Sequence, residues 1–138
     1  MYSDFLDLVE RYRNRHNLNE EPLCEEALLR EEEMYGRLPP TYREFLKSCP
    51  TGSFFDDCFV LYQGPLSFED LSPTERTPFE EGLLPFGDDN GGTFLCFDTL
   101  NSDANGEWPI VEYSYPHYRT QIANSFGEWV MGMVGLFV

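Results

Sequence analysis

The sequence predicts a single α+β domain spanning residues 1–138, with a mainly antiparallel central sheet flanked by about four helices. Three observations predict it. Apolar residues recur at helical spacing near both ends of the chain. Short aromatic and β-branched runs in between are separated by turns rich in Gly, Asn and Asp. One of those runs, Thr93 to Phe97, is apolar on both faces, as a strand with neighbours on either side must be.

Taken in order, Ser3 is placed to cap a first helix carrying Phe5, Leu8, Val9 and Tyr12 on one stripe, with Arg11, Arg13 and Arg15 near its carboxyl end, where the helix dipole favours cations. A second helix is expected from Pro22 to Tyr35, with Cys24, Leu28 and Tyr35 on one side, Glu31, Glu32 and Glu33 solvated, and Gly36 as its stop. A third starts at the prolines 39 and 40 and sets Tyr42, Phe45, Leu46 and Cys49 at i, i+3, i+4 and i+7. Pro50-Thr51-Gly52 breaks it, and Cys58 to Tyr62 reads as a strand. Ser67 to Leu71 reads as a short capped helix, and Thr74 to Glu81 as a polar loop. Leu83 to Phe86 and Thr93 to Phe97 form a hairpin across Gly87-Asp88-Asp89-Asn90-Gly91-Gly92. Pro109 to Tyr115 is a further strand, and a last helix opens on a capping box, Ser125 with Glu128, and carries Phe126, Trp129, Val130, Met133, Val134 and Phe137.

With 41% hydrophobic and 16% aromatic residues, the chain can bury a real core despite a formal charge of -16. The charge is uneven: 14 of the 25 acidic residues follow Cys49, with only Arg76 and Arg119 as basic residues there. Such a field repels phosphate backbones and anionic membrane surfaces and speeds encounter with a basic protein, which disfavours direct nucleic-acid binding. The longest apolar run, Trp129 to Val138, is far shorter than the roughly 20 residues of a membrane-spanning helix. No basic-then-apolar leader opens the chain, because Asp4, Asp7 and Glu10 interrupt its first apolar residues. Cys24, Cys49, Cys58 and Cys96 include no CxxC pair, which fits buried thiols in a reducing cytoplasm and argues against a zinc or redox site.

Three marks in this order resemble the SUKH superfamily, which includes fungal cell-wall-assembly regulators and many bacterial immunity proteins. The first is Glu31 to Leu46, with MYGRLPPTYREFL at its heart. The second is Leu84 to Asp98, a polar glycine turn followed by a strand ending in aspartate. The third is Pro109-Ile110-Val111 followed by Ser125-Phe126-Gly127-Glu128-Trp129. The similarity covers about residues 25–134, leaving the helix within residues 1–20 as an addition to the shared core. Cys49-Pro50-Thr51-Gly52 departs from the Asn-Gly turn that members often carry there. What the resemblance implies is a non-catalytic, cytoplasmic, protein-binding domain of the toxin-immunity kind. Its partner would be a cognate toxin domain, such as a nuclease, or another basic protein. A regulatory scaffold subunit of an intracellular complex is the alternative.

Candidate partner-binding residues are Asp88, Asp89, Asp103, Glu107, Trp108 and Glu112, because carboxylates beside aromatic rings can cradle arginine and lysine. Tyr113, Tyr115 and Tyr118 belong to the same aromatic stretch, half of it expected in the core. Asn101-x-Asp103-x-Asn105-Gly106 with Glu112 approaches a calcium-loop pattern, but position one is Asn, Pro109 interrupts the loop, and strands flank it in place of helices; a hairpin turn accounts for it better. Asp88-Asp89-Asn90 is likewise a turn before it is a carboxylate pair. His16 and His117 lie far apart, with no nucleophile motif beside either. The residues therefore call for no catalytic group, metal or cofactor.

Overall fold

The structure, a computed structural model, describes residues 2–65, 82–114 and 118–136. Its elements run α1 (Ser3–Arg11), a 3-10 turn (Arg13–Arg15), β1 (Asn17–Glu20), α2 (Glu25–Tyr35), α3 (Pro40–Ser48), β2 (Thr51–Phe54), β3 (Phe59–Leu61), β4 (Leu83–Asp88), β5 (Thr93–Asp98), β6 (Ile110–Ser114), β7 (Tyr118–Ala123) and α4 (Phe126–Leu136). Each strand pairs antiparallel with the next, so the seven-stranded sheet keeps the order of the chain. The α+β class and the central place of β5 are as expected, with four helices among the described residues.

Alternation along the strands builds two cores. Leu84 pairs with Phe97 and Phe97 with Ile110, and these three join the helices in the main core. One residue along, Cys96 pairs with Val111 and Phe94 with Tyr113; Leu83, Cys96, Val111 and Tyr113 form a second buried cluster on the other face, with the half-buried Phe94 packed against it. Phe126 sits where the main core is densest, its ring 4.8 Å from Tyr42, 5.0 Å from Phe45 and 5.4 Å from Phe86. Edge-on packing of this kind adds to the roughly 1.5–3 kcal/mol that burying each ring contributes.

Local chemistry explains the helix limits. Gly36, at φ 87°, ends α2 in the left-handed region while its N–H donates to the Glu32 carbonyl. Glu32 then reaches across the bend, accepting the Leu38 N–H at 3.0 Å and Arg43 Nε at 3.1 Å, and Arg43 also pairs with Glu25; α2 and α3 are thereby tied by charge as well as packing. Pro40 occupies the first turn of α3, where a missing N–H costs nothing. In β4 an added Cβ at Gly87 would collide with the Val60 carbonyl, so the close approach of β3 requires glycine there.

Several expectations are corrected. Ser3 lies inside α1; Tyr2 holds the cap position without a side-chain cap bond, and its hydroxyl instead donates to the Thr41 carbonyl. The second helix starts at Glu25, later than Pro22. Cys49 and Cys96 are buried, but Cys24 and Cys58 are exposed, so only half the thiols belong to the core. Strands β1, β2 and β7 were not expected: β1 carries one apolar residue, β2 begins inside an apparent breaker, and β7 is largely polar, so pairing with a neighbour and not hydrophobic pattern defines them. The expected helix at Ser67 to Leu71, the loop at Thr74 to Glu81, and the residues Tyr115, His117 and Phe137 lie outside the described residues.

Candidate protein-binding surface

The β4–β5 turn carries the first two candidate carboxylates. Asn90, at φ 60°, and Gly92, at φ 97°, supply the left-handed backbone the turn needs. Asp88 accepts the Asn90 N–H at 2.9 Å and the Tyr62 hydroxyl at 2.8 Å, and Asp89 accepts the N–H groups of Gly91 at 2.7 Å and Thr93 at 3.1 Å. These are turn bonds of the expected kind, and they hold the two charges at a fixed rim of the sheet.

A second turn joins them there. The Asn90 side-chain amide donates to the Asp57 carbonyl at 3.0 Å, drawing the β2–β3 turn alongside. Phe55, Asp56 and Asp57 are all left-handed, at φ 52°, 55° and 65°, a conformation costing about 1–2 kcal/mol per residue. Outside bonds offset it: Asp56 N–H donates to the Arg15 carbonyl at 2.7 Å, Arg15 Nε pairs with the Asp56 carboxylate at 2.6 Å, and Phe55 N–H donates to His16 Nδ1 at 2.9 Å. The rim therefore collects Asp56, Asp57, Asp88 and Asp89 from two turns over thirty residues apart in sequence. The Asp-Asp pair between two aromatic runs was a legible turn signal, but nothing local revealed its neighbour.

His16 is a pH-sensitive part of this support. Accepting from Phe55 requires an unprotonated Nδ1, so the ring is neutral and Nε2 donates to the Val9 carbonyl at 3.1 Å. Burial lowers its pKa below the ordinary 6.5, with nearby Arg15 adding to the effect and the Val9 bond and Asp56 opposing it. A depressed histidine pKa means the unfolded chain binds the proton first, so this contribution to stability is fully present above pH 6.5 and is lost as pH falls below it. Denaturation at pH 7.5 and 5.5 is expected to show a loss of stability that His16→Gln reduces; an equal loss in both proteins contradicts the assignment.

The remaining candidates lie elsewhere, because β5 carries the chain from the Asp89 turn to the far end of the sheet. There Asp103 accepts the N–H groups of Asn105 at 2.8 Å and Glu107 at 3.0 Å. Glu107 is buried: its carboxylate accepts Thr41 N–H at 2.9 Å and Thr41 Oγ1 at 2.6 Å, covering the first turn of α3. Trp108 is half-buried, its ring 5.5 Å from Phe97. Glu112 stands exposed on β6 between the two ends, opposite Leu95 and Thr120. Of the aromatic residues, Tyr113 is buried and Tyr118 exposed. Five of the six candidates are thus split between two ends of the sheet, with Glu112 between them; the structure brings Asp88 and Asp89 together with Asp57 and leaves Asp103 apart.

The arrangement provides fixed negative charge. Among the described residues no three His, Cys, Asp or Glu side chains converge as metal ligands, and Asp103 spends its oxygen on turn N–H groups. Burial pushes the Cys49 thiol up to about 12 and that of Cys96 higher still, so neither is a thiolate at neutral pH. No helix of the described residues is long and apolar enough to cross a membrane.

The Leu-Pro entry to α3, the glycine turn between β4 and β5, and the Ser-Phe start of α4 thus place the three marks of the SUKH resemblance within one fold. The chain belongs to the SMI1/KNR4 family (SUKH-1), whose sequence model matches residues 22–132. The match begins after α1 and β1, although Phe5, Leu8 and Val9 of α1 pack into the same core. Compared with the curated proteins, the chain has no match.

Proposed function

We propose that this protein is an immunity-type inhibitor that works in the cytoplasm by binding a cognate toxin domain and covering its basic, nucleic-acid-holding surface, without catalysing a reaction. One observation carries the reading. Asp57, Asp88, Asp89, Asp103 and Glu112 form no ion pair among the described residues, whereas Arg15 and Arg119 are engaged by Asp56 and Asp98. The turns, with Glu112 on β6, therefore present net negative charge, which favours fast encounter with a basic partner. Membership of the SUKH-1 family supports a protein-binding role. Co-production with a candidate toxin domain taken from a neighbouring reading frame is expected to restore growth to cells that the domain alone kills; continued killing overturns the reading.

A further inference from the structure

We propose that a second copy of this chain docks on β7, extending the sheet antiparallel about a two-fold axis at Thr120. β7 ends the strand order, and Tyr118 through Ile122 are exposed along it. Edge strands are ordinarily guarded by charge or proline; Pro116 precedes β7 in the sequence, but the strand itself has neither proline nor carboxylate, and Tyr113 to Gly127 is the longest stretch of the chain without an Asp or Glu. Its one cation, Arg119, already faces Asp98 across the sheet.

The geometry is self-complementary. Thr120 pairs with Glu112, opposite Leu95 of the main core, so Tyr118 and Thr120 lie on the helix side. Ile122 is the extra residue of a bulge and lines a groove on that side, about 530 Å³ in volume, whose walls include Phe59, Trp129, Met133 and Leu136 with Glu128 as their one charged residue. Pairing Thr120 with itself sets Tyr118, 72% exposed, against Ile122 of the second copy, 37% exposed, and symmetry makes the contact twice. Each Tyr118 then reaches the mouth of the other copy's groove, where Leu136 is 82% exposed.

Charge selects the occupant. β7 itself carries no carboxylate, so two copies of a chain of net charge -16 approach more easily along this strand than turn to turn, with Glu112 on β6 and Glu128 at the groove as the nearest acidic groups, while a basic partner is drawn to the turns. Screening the repulsion must strengthen self-association, whereas it weakens the binding of a basic toxin.

Sedimentation of the full chain at about 100 μM, in about 0.05 M and about 0.5 M sodium chloride, tests this independently of any toxin. A dimer population that grows with salt is expected, and Tyr118→Asp and Ile122→Asp are each expected to weaken it at least about tenfold with the thermal midpoint of the Tyr118 variant unchanged. A monomer at both salt concentrations overturns the proposal, as does a dimer that survives both substitutions.

Discussion

Replacing Glu107 by alanine is expected to lower the stability of the domain by about 3 kcal/mol, a large share of the roughly 5–15 kcal/mol typical of a domain this size. Glu107 is only 7% exposed, and its two oxygens take the Thr41 N–H and hydroxyl. Thr41 N–H is one of the donors that a helix start leaves without a partner, and the Pro39-Pro40 entry offers no side-chain cap, so a carboxylate from a distant loop serves instead. Thr41 Oγ1 in turn accepts the Gly127 N–H at 3.1 Å, so one charge fixes the β5–β6 loop, the start of α3 and the start of α4. Alanine strands a donor and frees all three. Glutamine keeps an acceptor and is expected to cost about 1 kcal/mol. Urea denaturation measures both; a loss of only a few tenths for Glu107→Ala contradicts the role.

Reversing Asp88, Asp89, Asp103 and Glu112 together to lysine is expected to slow association with the toxin domain about 100-fold at low salt, with a much smaller change in dissociation. None of the four forms an ion pair among the described residues, so reversal removes long-range attraction and creates repulsion without breaking a salt bridge. Glu107 is left out of this set because its charge is spent inside the fold. Asp88 also accepts the Tyr62 hydroxyl, so the thermal midpoint of the variant checks that β3 and β4 stay joined. Association kinetics followed by stopped-flow fluorescence read the effect, and an unchanged rate sinks the electrostatic part of the account.

What could be read in the sequence was whatever periodicity or turn chemistry encodes. The stripe Tyr42, Phe45, Leu46 and Cys49 was legible because burying one helix face forces that spacing, and all four are buried. Ser125 does accept the Glu128 N–H, at 3.1 Å, because a cap bond is local. Long-range partners leave no such trace. Glu107 looked like any acidic residue beside a tryptophan; only the fold places it against Thr41, sixty-six residues away. The same holds for Asp57, which Asn90 gathers to the rim through a bond between two turns. Strand β7 is not legible in the sequence because an exposed edge strand needs no apolar face, and its pattern is that of a polar loop.

In the proposed function, negative charge on the sheet's turns captures a basic toxin surface. Its most direct test is the association rate constant of the unaltered protein with the toxin domain, measured from about 0.05 M to about 0.5 M salt. A rate that falls by at least about tenfold across that range is expected, as screening removes the attraction. A rate that stays flat with salt would contradict it.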